Sequence, residues 1–169
     1  MDRVSELGAL TAQHQLTYFD CGVESLNLWL REHSLQAQAA ATARTIVFAI
    51  DQEVLGYYAL STGAIESIDR EARIARGTGR HPIPVVLISR FAVDLRMQGQ
   101  QLGRFLLQDA LLRILNASRD LGIRAVQVHP INDAAASFYR RFGFEWIDPA
   151  DQALGLYLLL KDVAKAANR

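Results

Sequence analysis

The chain is poor in the features that would place it outside an ordinary intracellular fold. It holds one cysteine, Cys21, in 169 residues, so an internal disulfide is impossible and a reducing cytoplasm is the expected location. No apolar run approaches the roughly 20 residues of a membrane span, and no secretory signal is recognisable, so no membrane contact is expected. Repeats, linkers and low-complexity tracts are missing as well. No grouping of His, Cys and acidic residues has metal-ligand spacing, and no metal is expected. Net charge is also lacking, since 18 basic side chains balance 18 acidic ones.

What is present fits one folded unit. Half of the residues are hydrophobic and 21% are charged, which excludes a disordered chain. The length suits a single domain over residues 1–169. The balanced charge hides an asymmetry: residues 1–69 carry 3 basic and 9 acidic side chains, whereas residues 70–169 carry 15 and 9. A basic second half suits a polyanionic partner, although solvated helix faces give the same count.

Val23, Leu26, Trp29 and Leu30 recur at helical spacing and predict a helix from about Val23 to Thr42. Thr45–Ile50 and Val54–Leu60 read as a hairpin across Asp51-Gln52-Glu53. Residues 66–84 read as an irregular loop with a basic face, carrying Arg70, Arg73, Arg76 and Arg80. The apolar run from Val85 to Val93 predicts a central strand. Leu102, Leu106, Ala110, Ile114, Ala117 and Leu121 trace a long helix that Gly122 would end in a left-handed cap. A strand over Ile123–Val128, a short helix capped by Asn132 or Asp133 and ended by Gly143, and a last strand over Leu154–Leu160 complete the order. Alternating strands and helices predict an α/β fold built on one mixed sheet, in three layers.

The junction Asp94-Leu95-Arg96-Met97-Gln98-Gly99-Gln100-Gln101-Leu102-Gly103-Arg104 joins a buried strand to a long helix. Free N–H groups and the positive end of a helix dipole make such a turn a natural seat for a pyrophosphate. Cys21 stands in an Asp-Cys-Gly turn with no evident His partner and reads as structural.

Three segments together carry a resemblance: Arg90-Phe91-Ala92-Val93-Asp94; Gln98-x-x-Gln101-x-Gly103; and Asn132-x-x-Ala135-x-x-Phe138-Tyr139-x-x-x-Gly143-Phe144. In order and spacing they resemble the GNAT superfamily of N-acetyltransferases. That resemblance implies the three-layer GNAT fold, with a mixed, mostly antiparallel sheet and helices on both faces. It implies acetyl-CoA as cofactor, bound by Phe91, Ala92 and Val93, by Gln98, Gly99, Gln100, Gln101, Leu102, Gly103 and Arg104, and by Asn132 and Phe138. The Val93 N–H would polarise the acetyl carbonyl, and Tyr139 would act as the catalytic acid toward the CoA sulfur. Gln101 departs from the family pattern, where glycine is common.

Phe19-Asp20-Cys21-Gly22-Val23, Leu26-Asn27-x-Trp29-Leu30, Arg44-Thr45 and Leu55–Leu60 are further similar to one branch, the acetyltransferase toxins of bacterial type II toxin-antitoxin pairs. The branch implies acetylation of the α-amino group of aminoacyl-tRNA, a block of translation, a ribbon-helix-helix antitoxin and a homodimer. Arg76, Arg80, Arg90, Arg140 and Arg141 become candidate tRNA contacts. An α-amino group, with a pKa of about 7.7–8.0, needs little help from a base. His129 and Glu145 are the conceivable bases, and each also reads as structural. Two other readings fit the same residues: an ordinary acetyltransferase acting on a protein N-terminus or small amine, and a non-catalytic acyl-CoA-binding or regulatory module.

Overall fold

A computed structural model describes residues 2–66 and 72–169. Its strands are β1 (Ser5–Ala9), β2 (Arg44–Ile50), β3 (Glu53–Ile65), β4 (Ile83–Val93), β5 (Ala125–Val128), β6 (Glu145–Trp146) and β7 (Leu156–Leu159). The α-helices are α1 (Glu24–Leu28), α2 (Ser34–Ala39), α3 (Leu102–Ala117), α4 (Asp133–Arg141) and α5 (Leu160–Ala167). The strands form one seven-stranded sheet in the order β1-β2-β3-β4-β5-β7-β6. β4 and β5 pair in parallel, which requires a crossover, and α3 supplies it. The pairs β1–β2, β2–β3, β5–β7 and β6–β7 are antiparallel, as expected of a mixed, mostly antiparallel sheet. The chain divides into two compact units, Met1–Ser61 with Ser89–Leu107, and Thr62–Ile88 with Gln108–Arg169.

In the first unit the β2–β3 hairpin turns on two residues, Asp51 (φ 50°) and Gln52 (φ 70°), both left-handed as a tight hairpin with right-twisted strands requires. Asp51 also fixes the start of β1: the Val4 N–H donates to its Oδ1 at 3.0 Å, and its own N–H donates to the Val4 carbonyl at 2.8 Å. Gly56 on β3 lets α3 approach, because a Cβ there would stand 2.8 Å from Leu106 and 3.2 Å from Leu102. The core gathers Phe19, Leu30, Val47, Val54, Tyr57 and Ala92. Trp29 stacks on Tyr57 at 6.0 Å, and the buried Tyr57 hydroxyl donates to the Leu26 carbonyl at 2.7 Å.

In the second unit Ile74, Ile83, Val85, Ala125, Tyr157 and Leu159 form a core. The Arg124 guanidinium donates to the carbonyls of Ile74 (3.0 Å), Arg73 (3.3 Å) and Arg76 (2.9 Å), pinning the segment before β4. Arg73 pairs with Asp162 at 2.9 Å. Gly155 (φ 81°) presses against β5 so closely that a Cβ would lie 2.3 Å from the Val128 carbonyl oxygen.

Four expectations need correction. The helix expected over 23–42 is α1 and α2 joined by a π-helical turn over Trp29–His33, and it stops at Ala39. Gly122 does not take a left-handed conformation. α3 ends at Ala117, five residues earlier, where the Ser118 hydroxyl donates to the Leu115 carbonyl and the following residues turn. Arg73 faces acidic partners, so the basic face of the 66–84 loop is narrower than expected, and Arg70 lies outside the described residues. β1, β6 and α5 add to the expected order.

Candidate active site

The turn after β4 is built around Asp94, 1% exposed. Its Oδ1 accepts from the Arg96 backbone N–H and Nε, each at 2.9 Å. Its Oδ2 accepts from the Asp20 N–H and from Arg96 Nη2, each at 3.0 Å. Burial alone would raise the carboxyl pKa; the Arg96 guanidinium and the two backbone N–H groups outweigh it and hold the group below the usual carboxylate range. Asp94 thereby caps the 3₁₀ turn Leu95–Met97 and ties it to the Asp20-Cys21-Gly22 loop. Arg96 is bonded onward to Glu53 at 3.0 Å.

Beyond this turn the Gln98 carboxamide donates to the carbonyls of Val93 (2.9 Å) and Cys21 (3.1 Å), and that of Gln100 to Arg96 (3.1 Å). Both side chains shape the turn, leaving its backbone as the part that can face a ligand. Gly99 has φ 79°, and no atom lies within 4 Å of where its Cβ would stand. Gln101 has φ 68°, so it adopts the left-handed conformation that a glycine would supply at the same place. Its carbonyl accepts the Phe105 N–H at 3.1 Å, making it the N-cap of α3. The N–H groups of Leu102, Gly103 and Arg104 therefore have no carbonyl of their own helix to bond. Leu102 turns its side chain inward, whereas Arg104 is exposed. At the end of β4, Ala92 is buried and Phe91 and Val93 are half-buried. Arg90 lies with its guanidinium 5.2 Å from the Trp29 ring centroid.

In the second unit Asn132 caps α4, its Oδ1 accepting the Ala135 N–H at 2.8 Å. The amide nitrogen is then the end of Asn132 that can meet a ligand. Tyr139 faces inward from α4, 6% exposed. It packs against Phe138 at 5.3 Å and Phe144 at 5.5 Å. Burial pushes its phenol above the ordinary tyrosine value, so at neutral pH it holds its proton. Gly143 (φ 98°) closes α4. Arg140 and Arg141 are exposed on that helix, and Arg76 and Arg80 are exposed on the segment before β4.

The first unit thus brings together Phe91–Val93, Gln98–Arg104 and Arg90, and the second holds Asn132, Phe138, Tyr139, Arg140 and Arg141. Of the candidate bases, Glu145 is tied to the Tyr157 hydroxyl (3.3 Å) and to Arg73 (3.7 Å), and His129 is exposed. Burial pushes the Cys21 thiol up, away from a nucleophilic thiolate. Sequence reasoning gave no role to Asp20 and Asp94. The available signal was the Asp94-x-Arg96 spacing at a strand end, where an aspartate can cap a turn.

A family model described as an acetyltransferase (GNAT) domain matches residues 41–146. The chain is 41% identical over 147 residues to the tRNA-acetylating toxin of Mycobacterium tuberculosis (strain ATCC 25618 / H37Rv), covering 87% of each protein. It is similar to a mutant of the toxin AtaT bound to the C-terminus of the antitoxin AtaR and acetyl-CoA, with TM-score 0.81 and 28% identity, over 98% of this chain and 99% of that one. It is also similar to AtaT complexed with acetyl-methionyl-tRNAfMet, with TM-score 0.83 and 27% identity, over 96% and 98%. Motif, sheet order and these matches agree that the chain belongs to the GNAT acetyltransferase family.

Proposed function

We propose that this chain is a toxin that uses acetyl-CoA to acetylate the α-amino group of an aminoacyl-tRNA and so blocks translation. The observation that carries this reading is the 41% identity over 87% of the chain to a tRNA-acetylating toxin. It acts in the cytoplasm, as a single domain over 1–169 and as a homodimer, and a ribbon-helix-helix antitoxin encoded alongside neutralises it.

The residues present fit acetyl-CoA. The open Gly99 and the unpaired N–H groups at the start of α3 suit a pyrophosphate, with Arg104 adding charge. Phe91–Val93 would pair with the pantetheine arm, and Asn132 and Phe138 would touch it. Bound acetyl-CoA supplies an acyl group already activated as a thioester. The Val93 N–H donates to the carbonyl oxygen as negative charge builds there. The substrate nitrogen bonds to the carbonyl carbon, the carbon–sulfur bond breaks, and Tyr139 gives its proton to the leaving sulfur. A phenol holds its proton at pH 7 without help, and burial moves it further in that direction. Nitrogen loses its extra proton to water, water returns a proton to the Tyr139 phenolate, and the low basicity of an α-amino group makes the first of these steps undemanding.

The test is incubation of the protein with acetyl-CoA and charged total tRNA, followed by detection of N-acetylated aminoacyl ester. Tyr139→Phe should lower turnover by about 10²–10⁴-fold while acetyl-CoA affinity persists. No product with any aminoacyl-tRNA, despite bound acetyl-CoA, refutes the tRNA assignment and returns the reading to a protein N-terminus or small amine.

A further inference from the structure

The arginines of the basic second half divide by what they do in the fold. Arg73, Arg96, Arg113 and Arg124 are engaged by carboxylates or carbonyls. Arg140 and Arg141 differ: both are exposed at the end of α4, and among the described residues no ion pair holds either. They line an open groove of about 650 Å³ with Ser137, Phe144, Glu145 and Trp146. A third guanidinium lies next to the lining rather than in it: Arg169 Nη1 donates to the Arg141 carbonyl at 3.4 Å. Glu145 is the carboxylate in this lining; it lies 3.7 Å from Arg73, which it shares with Asp162, and accepts from the Tyr157 hydroxyl. With two arginines against one carboxylate, the lining carries an excess of positive charge. Phe144, on its wall, packs at 5.5 Å against the Tyr139 ring.

We propose that this groove binds the sugar-phosphate backbone of the substrate RNA, with Arg140 and Arg141 as phosphate contacts. The proposal rests on the aminoacyl-tRNA reading and gives that substrate a place on the protein. Guanidinium groups match phosphate in a planar, two-pronged geometry, and clustered arginines beside an accessible aromatic, here the half-buried Trp146, are what a flexible RNA strand engages. An acidic peptide would satisfy the charge alone. RNA is favoured because Arg140 and Arg141 directly follow Tyr139, the proposed acid, on α4, and the bulk of the substrate must lie beside that residue.

The experiment uses the full chain with arginines 140 and 141 both changed to glutamine. Steady-state acetylation of aminoacyl-tRNA is followed over a range of salt, with direct binding of uncharged tRNA by fluorescence anisotropy. The double variant should raise KM for aminoacyl-tRNA roughly tenfold and flatten the dependence of log KM on log salt by about 1.4–1.8, two contacts at roughly 0.7–0.9 each. KM for acetyl-CoA should stay unchanged, and Arg119→Gln, an exposed arginine outside the groove, should leave RNA binding and salt slope unchanged. Wild-type tRNA affinity and salt slope in the double variant overturn the proposal. So does retained RNA binding with loss of antitoxin neutralisation, which makes the groove a protein site. Should the wild-type protein acetylate no aminoacyl-tRNA, the anisotropy arm still reports on the groove by itself.

Discussion

Asp94→Asn probes how the turn after β4 is held. The carboxylate takes two N–H donors on each oxygen. Asparagine offers one oxygen and one amino group, so at least two donors then confront another donor. A hydrogen bond to an ionised acceptor contributes about 1.5–3 kcal/mol. One of the two lost bonds involves either the Nε or the Nη2 of Arg96, whose side chain is 50% exposed and rehydrates. The other involves a backbone N–H that stays behind, so a loss of about 3 kcal/mol is expected. In a chain of 169 residues each kcal/mol corresponds to about 2–4 °C in Tm, hence a fall of roughly 6–12 °C. Calorimetry at neutral pH measures it. The pH dependence supplies a second reading: a carboxyl held below its unfolded value contributes stability that is fully present above about pH 4 and is lost as pH falls through the lower folded value. The gap between wild type and variant should therefore close on strong acidification and stay constant toward alkaline pH. A neutral-pH Tm within about 2 °C of wild type would refute the view that this carboxylate organises the turn.

Gln101→Gly should be neutral or stabilise by up to about 1 kcal/mol, because relief of the left-handed backbone outweighs the added freedom of the unfolded chain. Gln101→Val, with a branch at Cβ, should destabilise by about 1 kcal/mol or more, and denaturant melts of both variants decide. Gly155→Ala should cost on the order of 3 kcal/mol, since its Cβ would meet the Val128 carbonyl and the backbone is left-handed; a melt close to wild type would mean that β5 and β7 yield more readily than the packing implies.

The parts of the fold that the sequence disclosed are those whose signal is local. The hairpin, β4, α3 and α4 each show an apolar period or a capping residue within their own span. β1 has neither: Ser5–Ala9 is a half-exposed edge strand with no alternation to read. β6 is two residues long, below any pattern. α5 begins directly after β7 at Leu159, without a side-chain cap, so nothing marks where strand gives way to helix. The same divide runs through the candidate site. The spacing of Gln98, Gly103, Asn132 and Tyr139 is local and could be read, whereas the partners of the arginines could not. Arg73 finds Asp162 across 89 positions, and Gln98 reaches Cys21 across 77. Only folding sorts guanidinium groups that brace the chain from those that face solvent.

Gln101 bears on how such enzymes are recognised. The turn depends on a backbone angle at this position, and glycine is only the commonest way to reach it. This chain reads glutamine there and still reaches the angle, so the missing glycine is no argument against its membership of the family. With an unbranched residue in the glycine's place, Asp94 and Gln98 still brace the turn from outside that position.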